Sequence, residues 1–88
     1  MTSQPNYNVR IVRDKIKAAR EHHRIPIKQV AHAVCLSQKN IIEIEESETF
    51  NSFYSYPIKV TAAKRVGRYL GLDESEFLEV ITHEHEQH

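Results

Sequence analysis

The stretch QVAHAVCLSQKNIIEIEES, residues 29–47, decides the fold of this chain. Its apolar residues recur at helical spacing, the spacing breaks at Cys35-Leu36-Ser37, and it restarts as Ile41 and Ile44. This pattern predicts two short helices that are joined by a tight turn and share one apolar core, the arrangement of a helix-turn-helix. Ser37 is a favourable N-cap residue, so the second of these helices is expected to begin there. Its N-terminal end then carries the polar side chains of residues 37–40.

The rest of the chain predicts three further helices and no strand, so the expected fold class is all-α with five helices. Asn8 suits the N-cap of the first helix, and Gly71 suits the C-terminal end of the fourth. Asp73 and Glu76 resemble the capping box of the last helix. The predicted helices cover residues 9–23, 26–34, 37–46, 57–70 and a last segment that carries Phe77, Leu78 and Ile81.

The length of 88 residues indicates one domain, placed over residues 9–82, between a flexible arm (1–8) and a disordered tail (83–88). The formal net charge is zero, which is not typical of a dedicated nucleic-acid coat protein. The charges are segregated, because residues 1–42 carry eight basic and two acidic side chains and residues 43–48 carry four carboxylates. The sequence therefore predicts a basic first half next to an acidic segment.

The single cysteine excludes an intramolecular disulfide and favours a cytoplasmic protein. Cys35 lies among apolar residues in the turn, which predicts a buried and unreactive thiol. No apolar run reaches membrane-spanning length, so no membrane contact is expected within this chain, although a longer, membrane-anchored parent protein is compatible with the sequence.

No pattern of residues indicates an enzyme, a cofactor or a metal site. The chain has two glycines, no glycine-rich phosphate loop and no nucleophile with a neighbouring base. Three of its six histidines lie in the tail, which does not hold ligands in the tetrahedral arrangement that zinc requires. The sequence therefore predicts a protein that acts by binding.

Four segments follow one another in the order and at the separations of a known family. Together they resemble the lambda-repressor-like, or XRE-type, helix-turn-helix domain. The segments are IKAARE (16–21), QVAHAV (29–34), LSQKNIIEIEE (36–46) and RYLGLDESEFL (68–78). The resemblance implies the five-helix fold of that family, and it implies an ion pair between Arg20 on the first helix and Glu45 on the third.

The first functional hypothesis is a bacterial transcriptional regulator that binds the major groove of double-stranded DNA. Gln38 and Asn40 can each bond adenine, and Lys39 can reach guanine or phosphate. Lys28 and Ser37 are the expected phosphate contacts. Two features oppose this hypothesis. Ile27 stands where DNA-binding members often carry a glutamine that holds a phosphate, and four carboxylates follow the reading residues: Glu43, Glu45, Glu46 and Glu48.

The second hypothesis is a protein-docking adaptor, because AARE (18–21) on the first helix and IEE (44–46) after the turn resemble the cytosolic domain of RodZ, which docks on the actin-like filament protein MreB. RodZ proteins carry aromatic residues on the fourth helix, where this chain has Ala62 and Val66. An aromatic-rich loop and a basic outer face on the fourth helix would supply the protein interface or a homodimer contact. The candidate interface residues are Phe53, Tyr54, Tyr56, Lys64 and Arg68, with Phe50, Lys59 and Arg65 beside them.

Overall fold

The structure is a computed structural model that describes residues 8–81. Five helices and two short strands occur in this range. In chain order they are β1 (Asn8–Ile11), α1 (Arg13–His22), α2 (Ile27–Ala33), α3 (Gln38–Glu46), α4 (Tyr56–Tyr69), α5 (Glu74–Phe77) and β2 (Leu78–Ile81). The predicted tail, and the predicted arm apart from Asn8, lie outside the described residues.

The two strands pair as an antiparallel ribbon, so the prediction of a purely all-α fold was wrong. Asn8 lies opposite Ile81, and Ile11 lies opposite Leu78. The ribbon brings the two ends of the described chain together. The first helix consequently begins at Arg13 and not near residue 9, and the last helix ends at Phe77.

Successive side chains of β1 point to opposite faces of the ribbon, as in any strand, whereas β2 is exposed beyond Leu78. Ile11 is buried, whereas Arg10 points outward and forms an ion pair with Glu79 at 2.7 Å. The backbone N–H of Val12 donates to the carbonyl oxygen of Phe77 at 2.8 Å and joins the start of α1 to the end of α5. The sequence analysis missed β1 because an alternation of four residues is a weak strand signal. The helical spacing of apolar residues that continues through Val12 into α1 was the stronger signal.

One apolar core lies between the helices, beneath the ribbon. Gly67 allows α4 and α5 to approach closely, because a Cβ atom at this position would lie 2.3 Å from the ring of Phe77. The buried apolar residues are Ile11, Ile16, Val30, Ala31, Val34, Ile41, Ile44, Ala62, Ala63, Val66, Leu70 and Phe77.

Three helices end at a residue in the left-handed conformation: Arg24 (φ 56°), Cys35 (φ 60°) and Gly71 (φ 81°). After α2, the N–H of Leu36 donates to the carbonyl of Ala31, and the N–H of Cys35 donates to the carbonyl of His32. These two bonds form a Schellman motif. The motif directs the Cys35 side chain outward, so the thiol is exposed and the prediction that it is buried was wrong. The predicted role of Gly71 is confirmed.

Candidate nucleic-acid interface

The helix-turn-helix predicted from residues 29–47 is present as α2, a turn at residues 34–37, and α3. Val30 of α2 and Val34 in the turn pack in the same core as Ile41 and Ile44 of α3. These buried residues pack the two helices together. The N-terminal end of α3, residues 37–39, is exposed at the surface. Ile27, at the start of α2, is partly buried against the core.

A capping box fixes the start of α3. The Ser37 hydroxyl accepts the backbone N–H of Asn40 at 3.0 Å, and the Asn40 side-chain oxygen accepts the backbone N–H of Ser37 at 3.1 Å. The Asn40 amide nitrogen donates to the backbone oxygen and to the hydroxyl of Ser52, both at 3.0 Å. Both amide hydrogens are thus used within the protein, and neither is free for a base edge.

The other predicted DNA-binding residues lie at the surface of the helix-turn-helix. Ser37, Gln38 and Lys39 are exposed at the start of α3, and Lys28 is exposed on α2. Within residues 8–81, neither lysine has a carboxylate within ion-pair distance. Ile42 lies one helical turn beyond Gln38 and is 46% exposed. The structure thus gathers hydrogen-bonding groups, two positive charges and one aliphatic side chain on adjoining turns.

Glu43, one of the four carboxylates counted against DNA binding in the sequence, points into the protein. Its carboxylate is buried and accepts the hydroxyl of Thr49 at 2.6 Å, the N–H of Asn51 at 2.7 Å and the N–H of Ser52 at 2.6 Å. The hydroxyl of Ser52 donates a fourth hydrogen bond. Burial alone would raise the pKa of Glu43, but these hydrogen bonds outweigh it and lower the pKa to about 2. Glu43 therefore holds residues 47–52, which we name the anchored loop.

Lys59 fixes the same loop from α4, and its predicted place on a basic outer face was wrong. The side chain is 1% exposed, and its ammonium group donates to the backbone oxygens of Ser47, at 2.8 Å, and Thr49. Burial lowers the pKa of Lys59, and the nearby Glu43 carboxylate opposes that shift. A carboxylate and an ammonium group thus hold the anchored loop from two sides.

The ion pair between Arg20 and Glu45 is present. The guanidinium group makes two hydrogen bonds to the carboxylate, at 2.7 and 3.0 Å, and donates a further one to the backbone oxygen of Ile25. The side chains are 12% and 1% exposed, so solvent screens this pair little. The bidentate geometry fixes the angle between α1 and α3.

Two more carboxylates near the end of α3 are bonded to α1. Lys17 contacts Glu46 at 2.7 Å, and Arg13 contacts Glu48 at 3.1 Å. The bond from Lys17 lowers the pKa of Glu46. The charge segregation between residues 1–42 and 43–48 was the signal in the sequence that these groups pair.

The residues of the predicted protein interface have different surroundings in the structure. Phe53 packs against the core, and the Tyr56 hydroxyl donates to the backbone oxygen of Val9 at 2.7 Å. Tyr54 is 91% exposed. The Lys64 ammonium group lies 3.9 Å from the Glu74 carboxylate, and Arg68, one turn further along α4, is exposed. Tyr56 thus serves to join α4 to β1.

Neither a metal site nor a membrane-spanning helix is present in the described part of the chain. Residues 8–81 contain no group of three or more histidine, cysteine or acidic side chains placed to hold a metal ion. None of the helices described is long and apolar enough to cross a membrane.

Comparison with known proteins gives one structural likeness. No protein family model and no curated protein matches the sequence. Among solved structures, the chain is similar to the crystal structure of the transcriptional regulator VanUg. The TM-score is 0.54 and the sequence identity 14%, over 94% of this chain and 100% of that chain. At this identity the likeness shows the fold, which is that of a known regulator.

Proposed function

We propose that this chain is a DNA-binding transcriptional regulator of the lambda-repressor-like type, with α3 as its recognition helix. The observation that supports this most is the division of α3 into two ends. Gln38, Lys39 and Ile42 lie open at one end, whereas the carboxylates at the other end are bonded to partners inside the protein. The acidic residues that opposed DNA binding in the sequence therefore do not present free charges beside the reading surface.

The chemistry of the open end suits a duplex. Gln38 can donate to N7 of adenine and accept from its N6 amino group, and Lys39 can reach guanine or a phosphate. Lys28 and Ser37 are the proposed phosphate contacts, since the Ser37 oxygen accepts the helix-capping bond and leaves its hydroxyl hydrogen to donate. The N-terminal end of a helix also carries a partial positive charge, which favours phosphate.

A domain of this size offers one small reading surface, so we propose that a homodimer binds two half-sites of a pseudo-palindromic operator. Such a regulator would work in the cytoplasm without an enzymatic step or a cofactor. The comparisons give no support to the RodZ-like alternative. The α4 positions where RodZ proteins carry aromatic residues, Ala62 and Val66, are 3% and 0% exposed, so they offer no docking surface.

Binding to a pool of random duplexes, measured against salt concentration and followed by sequencing of the retained DNA, tests this proposal. We expect affinity to fall steeply with salt and the retained sequences to share a two-fold-symmetric motif. Lys39→Ala should weaken binding to every duplex and reduce the salt dependence by about one unit of slope.

Lys15→Ala is the matched control for Lys39→Ala. It removes one exposed charge from the face of α1 opposite the residues that contact α3, and should leave the affinity unchanged. Failure to retain any duplex at low salt would refute the proposal. Equal losses in the two variants would show that only the total charge matters and that α3 is not the reading element.

A further inference from the structure

Ile42 is an apolar residue of α3 that is not part of the buried core. Its neighbours Ile41 and Ile44 are fully buried, while Ile42 is 46% exposed. A single exposed isoleucine is common on protein surfaces, so exposure alone carries no argument. The residues that surround Ile42 on α3 indicate what its side chain can contact.

Ile42 shares one face of α3 with the two proposed reading residues. Gln38 precedes it by four positions and Lys39 by three, so the three side chains lie next to one another on the helix surface. Ile42 also lines a cleft of about 330 Å³ between α3 and the anchored loop, opposite Thr49 and Asn51. There is therefore open space beside its side chain for the edge of a base.

The charges around Ile42 do not keep a nucleic acid away. The adjacent Glu43 carboxylate is turned into the protein, where it accepts four hydrogen bonds. Glu46, one turn further along, is paired with Lys17 at 2.7 Å. Lys39, one turn before, supplies a positive charge. Ile42 thus lies between one exposed lysine and two carboxylates that are bonded to other groups of the protein.

We propose that Ile42 is a specificity-determining residue that packs against the C5-methyl group of a pyrimidine in the major groove; this inference rests on the proposed function. An aliphatic side chain makes no hydrogen bond to a base edge. In the major groove the apolar group of the unmodified bases is the thymine methyl, and 5-methylcytosine carries the same group. The favoured ligand is therefore a 5-methylpyrimidine within each half-site.

The test removes single methyl groups from a duplex recovered from the random pool. Each thymine is replaced in turn by deoxyuridine, which differs from it by the C5-methyl group alone. We expect the affinity of the wild-type protein to fall about fourfold at one position in each half-site, the value for one buried methyl group. Replacing that base pair by cytosine–guanine should then give tighter binding when the cytosine carries a 5-methyl group.

Two variants separate this contact from a general weakening of binding. Ile42→Ala should bind the thymine and deoxyuridine duplexes equally, because the two changes remove the same contact. Lys39→Ala should bind both more weakly and retain the fourfold difference. Circular dichroism should show that both variants are folded, since both substitutions are at exposed positions of α3.

The outcomes distinguish the inference from the function on which it rests. A retained duplex in which no thymine is sensitive to loss of its methyl group would overturn the role of Ile42 and leave DNA binding intact. The same would follow if Ile42→Ala kept the wild-type difference. If no duplex is retained at low salt, the proposed function fails and the inference fails with it.

Discussion

The two ends of α3 have the same secondary structure and opposite surroundings. At the N-terminal end, Gln38 and Lys39 are exposed and bond to no other described side chain. At the C-terminal end, Glu43 and Glu45 are 9% and 3% exposed, and each makes several hydrogen bonds within the protein. The charged residues of this helix thus sit mainly at the end that is bonded into the fold.

This difference shows how a neutral protein can present a surface suited to an anionic partner. Formal charge counts every residue equally, whereas the field outside the molecule depends on which charges are paired. Three carboxylates of the acidic segment 43–48 form ion pairs with α1, and the fourth is buried beneath the anchored loop. The exposed lysines beside the turn are left without such partners among the described residues.

The largest expected effect is at the buried ion pair of the C-terminal end. Glu45→Ala should lower the free energy of unfolding by about 3–5 kcal/mol, because it leaves the Arg20 guanidinium partly buried without its counter-charge. Urea denaturation measures this. The double variant Arg20→Met with Glu45→Leu should lose less than the single variant, since no uncompensated charge remains.

Glu46→Ala is the control for that experiment, because it removes the neighbouring carboxylate of an exposed pair. It should leave the free energy of unfolding nearly unchanged, because solvent screens an exposed pair. If Glu45→Ala lowered the free energy of unfolding as little as Glu46→Ala, the C-terminal end would not be the part of α3 that is bonded into the fold. The comparison of the two ends would then fail.

The next largest effect concerns Glu43 and depends on pH. Its pKa of about 2 in the folded protein lies below the ordinary value of 4.5. A lowered pKa stabilises the fold at pH values above 4.5, and this stabilisation is lost as the pH falls toward 2. Glu43→Gln should cost about 2 kcal/mol at pH 7, as expected for lost hydrogen bonds to a charged group.

The measurement for Glu43 is the free energy of unfolding at several pH values between 3 and 7. The variant should show a flatter decline toward acid than the wild-type protein. Glu21→Gln, at an exposed carboxylate of α1 without a side-chain partner among the described residues, controls for the loss of one charge. A wild-type slope in Glu43→Gln would show that this carboxylate does not hold the anchored loop.

The helix-turn-helix could be predicted from the sequence because it rests on local signals. The break at Cys35-Leu36-Ser37, the cap at Ser37 and the glycine at position 71 act within one or two helical turns. The β-ribbon could not be predicted in this way. Asn8 and Ile81 are far apart in the chain, and each four-residue strand becomes regular only when the other pairs with it.

The candidate site was predictable in part for the same reason. The exposure of Gln38 and Lys39 follows from helical periodicity. The burial of Glu43 does not, because it depends on the N–H and hydroxyl donors of a loop six to nine residues away. Lys59 was likewise predicted to be exposed because its side chain is charged. Its burial is favourable only because backbone oxygens of the anchored loop accept hydrogen bonds from its ammonium group.

A smaller effect is expected at Asn40, which lies between the two ends. Asn40→Ala should lower the free energy of unfolding by about 1 kcal/mol, because it removes half of the capping box and the bonds to Ser52. If the amide serves the fold, base preference among retained duplexes should not change. A relaxed preference at one base position, without loss of stability, would return Asn40 to the reading surface.

The smallest effect on stability is expected at Gln38, in the exposed first turn of α3. Gln38→Ala should change the free energy of unfolding by less than about 0.5 kcal/mol, since the side chain makes no bond within the described residues. The same variant should lose its preference for adenine at one position, which for a bidentate contact corresponds to about 1–3 kcal/mol of discrimination. Thermal unfolding and sequencing of the retained duplexes measure the two quantities on one preparation. A variant that loses stability but keeps its base preference would reverse the assignment, and the N-terminal end of α3 would then belong to the scaffold.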